Sequence, residues 1–256
     1  MLGSSYSDAR QALRALCPQP LLNWREARFY GRYGEVELHL LEFLCSRDKD
    51  AIDVGANDGS YVHFLRRHAR RVIAFEPLPG RADALRRKFR RGVSVEAMAL
   101  SDSVGTVALR EAAAGGVAII AAPKVTLDSV YDGNVGFIRV DVAGHAQAVL
   151  DGATRTIDRC RPRVMIRIEE RLSPGALALV TAYFKPFDYQ GFFVHAGFIE
   201  PIALFSPEIM QNARDLPTGP LPERPRFGRY MRNFIFLPRE EPIETRHRMT
   251  RRLSQL

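Results

Sequence analysis

The chain has 256 residues, of which 46% are hydrophobic, and a formal net charge of +8. That length suits one α/β domain with an N-terminal extension, and no window approaches the roughly eighteen uninterrupted apolar residues of a membrane span. Cys17, Cys45 and Cys160 are scattered and lack Cys-x-x-Cys spacing, which argues against a disulfide framework or a zinc site and fits a reducing, cytoplasmic setting.

The first eight residues lack the basic-then-apolar layout of a secretory signal, so an unprocessed, soluble protein is expected. Only four of the 37 basic residues are lysine, an arginine skew that a GC-rich genome produces without selection for binding. The clusters Arg66, Arg67, Arg70, Arg71 and Arg86, Arg87, Arg90, Arg91 follow helix-like spacing. No aromatic residues interleave with them as a single-strand binding platform requires. They read as solvated helix faces, and no nucleic-acid partner is expected.

In chain order, residues 1–48 read as a helical cap. Ala9 to Leu16 and Glu35 to Leu44 show helical apolar spacing, with Pro18 and Pro20 interrupting between them. From Ala51 the rhythm becomes strand, helix, strand. Strand-like runs fall at Ala51 to Val54, Val72 to Phe75, Ser94 to Leu100, Gly136 to Val142 and Arg163 to Ile168. Helix-like segments fall at Ser60 to Ala69, Gly80 to Arg91 and Ala146 to Cys160.

This alternation predicts an α/β fold: a mainly parallel, doubly wound sheet with helices on both faces. The near-continuous apolar strands agree with burial on both sides. Gly191 to Glu200 reads as two short strands around a turn and Asn233 to Leu237 as a final strand, giving antiparallel C-terminal strands. The proline- and arginine-rich stretch between them, within 203–229, is a candidate lid. The division expected is a cap at 1–48, a catalytic domain at 49–238 and a basic tail at 239–256. The tail, Arg246 to Arg252, reads as a frayed, solvated helix.

In an open parallel sheet, ligands bind beyond the carboxyl ends of the strands. Gly55 and Gly59 bound the turn after the first strand, where missing side chains let backbone N–H groups approach a polar ligand. Their Gly-x-x-x-Gly spacing departs from the dinucleotide fingerprint, which disfavours an NAD-dependent oxidoreductase.

Glu76 ends the second strand, 23 residues after Asp53, the position from which a carboxylate accepts hydrogen bonds from ribose hydroxyls. Asp53 is placed to approach the cofactor's amino-acid moiety. Asn57 and Asp58 either do the same or stabilise the turn. The third strand ends at Ser101-Asp102, where a polar group marks a purine's edge or a plain turn begins. The fourth run ends in Asp141, again at the productive edge.

The set Asp53-Val-Gly-Ala-Asn-Asp-Gly59, Phe75-Glu-Pro77, Ala99-Leu-Ser-Asp102, Thr126-Leu-Asp128, Ile138-Arg-Val-Asp-Val-Ala-Gly144 and Asn233-Phe-Ile-Phe236 resembles the FkbM family of S-adenosylmethionine-dependent methyltransferases. The resemblance spans about residues 50–238, with the motifs in family order. It implies a Rossmann-like class I methyltransferase fold. It also implies methyl transfer from S-adenosylmethionine, most often to a hydroxyl of a sugar, glycolipid or natural product. By motif position Asp53, Gly55 and Gly59 contact the methionine part, Glu76 the ribose, Ser101 and Asp102 the adenine edge, and Asp141 the region of the transferred methyl.

An alcohol acceptor needs an in-line approach and a base for its proton, for which Asp141 and His145 are the candidates. The family commonly carries two glutamates after the fourth strand, where this chain has Ala143 and Ala146, and Arg167 stands where an acidic residue is usual. Those departures leave a second reading open, a catalytically impaired S-adenosylmethionine-binding protein with a regulatory or scaffolding role. The segment from Ala112 to Val125 looks short. The remaining histidines, His39, His63, His68, His195 and His247, form no ligand spacing, so no metal is expected.

Overall fold

A computed structural model describes residues 18–113, 116–241 and 243–256. The expected helix at Ala9 to Leu16 lies outside the described residues. The strands are β1 (Asp50–Val54), β2 (Val72–Phe75), β3 (Val93–Glu96), β4 (Ala99–Leu100), β5 (Gly105–Ala113), β6 (Gly116–Val125), β7 (Val135–Val140), β8 (Arg163–Arg167), β9 (Tyr189–His195), β10 (Phe198–Pro201) and β11 (Asn233–Pro238).

Eight of them form one sheet in the order β10-β9-β11-β8-β7-β1-β2-β3. The run from β8 to β3 is parallel, and β11, β9 and β10 close the edge antiparallel. The strand order reverses at β1, between β2 and β7, so the crevice beyond the carboxyl ends of β1 and β7 is the topological switch point.

Successive strand residues point to opposite faces and join different halves of the core. Ala51, Val72, Ala74, Phe137, Met165 and Ile235 pack on one side, with the helices Val62–His68 and Pro79–Lys88. Ile52, Val54, Ile73, Ile138, Val164 and Phe234 pack on the other, with the helices Ala146–Asp151, Thr154–Cys160 and Ala176–Phe184. Both faces are covered, so β1, β2, β7 and β11 are buried along their whole length rather than alternately. The expected doubly wound α/β sheet with antiparallel C-terminal strands is what forms.

Several elements differ from the sequence expectation. Pro18 and Pro20 stand at the start of a helix. Pro18 caps Gln19–Tyr33 and Pro20 sits in its first turn, where a missing N–H costs nothing. Glu35 to Leu44 is a 3-10 turn, Val36–Leu40, followed by the short helix Leu41–Leu44. The single strand expected over Ser94 to Leu100 divides: β3 stays in the main sheet, while β4 leaves it to pair with β6.

The segment that looked short is one arm of a long hairpin. β5 and β6 pair from Gly105 opposite Lys124 to Ala113 opposite Gly116. The helix expected over Ala146 to Cys160 breaks at Gly152, its C-cap. The apolar helix Ala176–Phe184 was not anticipated, because an apolar run without a polar face carries no period to read. The basic tail is no frayed helix: Ile243–Leu253 buries Met249 and Leu253 completely in the same cluster as Leu41 and Leu44 of the cap.

Candidate functional site

The carboxylate of β1 is fully enclosed. Asp53 has no exposed surface, and Arg139 of β7 donates to its Oδ1 from Nη1 at 2.9 Å. Among the described residues its Oδ2 is buried without a hydrogen-bond partner. Burial pushes the Asp53 carboxyl above the ordinary carboxylate range, against the pull of the Arg139 guanidinium. Burial also works against the Arg139 charge, yet Asp53 and Asp141 hold that guanidinium firmly protonated.

Arg139 makes three contacts at once. It pairs with Asp53, donates to Asp141 Oδ2 from Nη2, and lies 3.8 Å from the centroid of the Tyr61 ring. Asp141 is therefore clamped from two sides, since Arg167 of β8 reaches its Oδ1 at 3.4 Å. Arg167 in turn donates to Glu169 at 2.7 Å. Arg167 thus sits between two carboxylates and links the ends of β7 and β8.

The turn after β1 is shaped by two glycines in the left-handed region, Gly55 at φ 80° and Gly59 at φ 78°. A β-carbon on Gly55 would collide with the Asp141 carbonyl, and one on Gly59 with the rings and methyls of Phe89 and Leu85. Glu76, 3% exposed, accepts from the Asn57 N–H at 2.9 Å and from the Leu78 N–H at 3.1 Å. Each carboxylate oxygen keeps a further acceptor site.

Asn57 and Asp58 part company here. Asn57, itself at φ 50°, donates from its side chain to the Gly55 carbonyl and accepts from Arg81. Asp58 turns toward the cap, accepting from the Tyr30 hydroxyl at 2.6 Å and the Ser60 N–H at 3.0 Å. Asp58 is thus held in turn-stabilising contacts.

Ser101, Asp102 and His145 form a second group. The Ser101 hydroxyl donates to Asp102 at 3.1 Å, and His145 Nε2 lies 3.1 Å from the same hydroxyl. His145, the residue preceding the helix Ala146–Asp151, is thereby joined to the expected adenine-edge residues. Beyond β7 and β8, Ala143 and Ala146 line a mostly apolar cavity of about 140 Å³ with Leu172, Leu179 and Val180, and Arg167 and Glu169 at its border. Among the described residues no group of three or more His, Cys, Asp or Glu is placed to hold a metal ion, and no helix is long and apolar enough to cross a membrane.

The profile of the methyltransferase FkbM domain matches residues 53–193, a span that begins at Asp53 and takes in Glu76 and Asp141. The chain belongs to the FkbM methyltransferase family. The crystal structure of methyltransferase FkbM from Methylobacillus flagellatus is similar, with a TM-score of 0.51 and 19% identity. The match covers 75% of this chain and 44% of that one, so this FkbM-family chain spans less than half of that relative.

An rRNA methylase of Streptococcus thermophilus is more distant, at TM-score 0.49 and 10% identity, covering 79% of this chain and 93% of that one. SMU.1697c of Streptococcus mutans, solved with SAH, has TM-score 0.46 and 12% identity, covering 78% and 95%. No curated protein matches the FkbM-family chain.

Sequence reasoning missed four members of this site. Arg139 had a signal, a lone charge inside an otherwise apolar strand run, which must be paired when buried. Tyr61, Glu35 and Arg232 had none. Tyr61 donates to Glu35 Oε2 at 2.6 Å and Arg232 to Glu35 Oε1 at 2.6 Å, contacts made between the cap, the residue before the helix Val62–His68 and the residue before the last strand.

Proposed function

We propose that this chain binds S-adenosylmethionine at the carboxyl edge of β1, β2 and β7 and methylates a hydroxyl of a sugar, glycolipid or natural-product acceptor. The observation that carries the reading is the gathering of Asp53, Glu76 and Asp141 around one glycine turn at the switch point of the sheet.

The residues fit such a cofactor. Glu76 retains acceptor sites for ribose hydroxyls, and the missing side chain of Gly55 leaves the turn's backbone open beside Asp141. Asp53 is fully enclosed, so its carboxylate acts on the site through Arg139, which it shares with Asp141. Ser101, Asp102 and His145 would border the adenine. The bound cofactor supplies an electrophilic sulfonium methyl. Asp141, with both oxygens engaged by guanidinium groups, orients and balances charge beside that methyl.

Calorimetric titration with S-adenosylmethionine tests the reading, with saturable binding to one site as the expected result. No binding sinks it. The second reading, an impaired cofactor-binding protein, is favoured by Ala143 and Ala146 in place of two carboxylates. If Ala143→Glu creates methyl transfer that the natural chain lacks, that second reading is the correct one.

A further inference from the structure

The cap brings two carboxylates to the edge of the sheet that no motif includes. Glu35 is the residue preceding the 3-10 turn Val36–Leu40, and Glu37 lies within that turn. Glu35 accepts from Tyr61, Arg232 and Asn233. The Tyr61 ring stacks beneath Arg139, the arginine that holds Asp53 and Asp141. One hydrogen bond and one cation–π contact therefore join the cap carboxylate to the proposed methyl-transfer centre.

Glu37 is different. It is 92% buried, and its carboxylate is hydrogen-bonded to the Asn233 side chain and to its own backbone N–H. It lines, with Glu35, a cavity of about 530 Å³ between the cap and residues 214–233. Burial pushes its carboxyl up to about 7, the Glu35 charge adds to the shift, and Asn233 and Arg232 offset it in part. A buried acid lining a cavity meets the condition of a general base, which works best when its pKa lies near the pH at which it operates.

We infer that this cavity receives the methyl acceptor and that Glu37 is the catalytic residue that takes its hydroxyl proton. The inference rests on the methyl-transfer reading and deepens it. An acceptor hydroxyl oxygen would form the new O–CH₃ bond as the C–S bond breaks. The bonding pair goes to sulfur, leaving a neutral thioether, and the hydroxyl proton passes to the Glu37 carboxylate. Glu35 cannot share the task, because burial is outweighed by Arg232 and Arg139, which hold its carboxyl down at about 2. The cavity wall interleaves Arg224, Arg229 and Arg232 with Asp215 and Glu223, donors and acceptors suited to a polyhydroxylated, sugar-like acceptor.

The test uses the full chain with S-adenosylmethionine and a panel of D-glucose, L-rhamnose and methyl α-D-mannopyranoside, reading S-adenosylhomocysteine release against pH. In the natural chain the rate should climb about tenfold per pH unit toward pH 7 and then level. Glu37→Gln should lower kcat by about 100-fold or more and abolish that limb, with cofactor binding by calorimetry unchanged. An unchanged pH profile in Glu37→Gln overturns the assignment. So does cofactor binding by the natural chain without release on any sugar of the panel. Absence of cofactor binding overturns the methyl-transfer reading instead. Should Glu37→Gln not fold, carbon-13 NMR titration of Glu37 in the natural chain decides, a midpoint near 7 supporting the assignment and an ordinary carboxylate midpoint overturning it.

Discussion

Arg139 Nη1 stands 2.9 Å from Asp53 Oδ1, an ion pair between neighbouring strands from which solvent is almost wholly excluded. Removing one partner of such a pair leaves the other charge buried and uncompensated, which costs about 3–5 kcal/mol. Arg139→Met should lower stability by that order in urea unfolding. The double variant Asp53→Asn with Arg139→Met should recover much of the loss. A single variant as stable as the natural chain would mean that Asp53 is protonated in the folded protein and needs no partner.

Glu76→Ala removes the acceptor that faces the expected ribose and also frees the Asn57 and Leu78 N–H groups. Hydrogen bonds to a charged group contribute about 1.5–3 kcal/mol each, so S-adenosylmethionine should bind roughly 10- to 100-fold more weakly by calorimetry. Equal affinity would remove Glu76 from the cofactor site.

Gly55→Ala places a β-carbon against the Asp141 carbonyl at a backbone angle that L side chains rarely adopt. The strain should cost about 1–3 kcal/mol in thermal unfolding and displace Asp141. Cofactor affinity should fall with it, whereas Gly80→Ala, a helical position that meets nothing within 4 Å, should leave affinity unchanged and stability equal or slightly higher.

The raised pKa of Glu37 makes stability depend on pH in a definite direction. Its carboxyl titrates at about 7 in the folded chain, against an ordinary value of 4.5. The folded state therefore holds a proton that the unfolded state has released between these values. Its contribution is present in full below about pH 4.5 and is lost as pH rises to about 7. Glu37→Gln should flatten the thermal-melting curve across that window, removing a fall of about 3 kcal/mol. Glu35 acts oppositely, but its loss begins only as pH falls below 4.5 toward about 2. A curve equally steep in the variant would contradict the shift.

Met249 is completely buried in the cluster that includes Leu41 and Leu44. Met249→Ala should cost about 2–5 kcal/mol, read by denaturant midpoint, because the cap and the last helix close the same part of the core. A loss within a few tenths would restore the picture of a solvated tail.

Much of this was legible in local pattern. The apolar runs ending in Asp53, Glu76 and Asp141 name their own strand ends, since burial on both faces demands continuous apolar residues and the carboxylate marks where the sheet stops. The glycine turn is equally local, because φ 80° at Gly55 is a property of one residue. The elements that escaped were those whose signal is weak or displaced. β6 is largely exposed, with Ala122 its one fully buried residue, and the cap prolines look alike whether they break a helix or begin one.

Local residue type thus settled the parallel sheet, its productive edge and the family pattern. The partners were settled by folding alone. Arg139 meets Asp53 across 86 residues, and Arg232 meets Glu35 across 197. No periodicity spans such separations, because charge pairing is governed by distance in space and by exclusion of water, neither of which exists until the strands and cap are packed. The sequence carries Ala143 and Ala146 after the fourth parallel strand, where the FkbM resemblance implies carboxylates. Packing brings Glu35 and Glu37 to the same sheet edge from the opposite end of the chain.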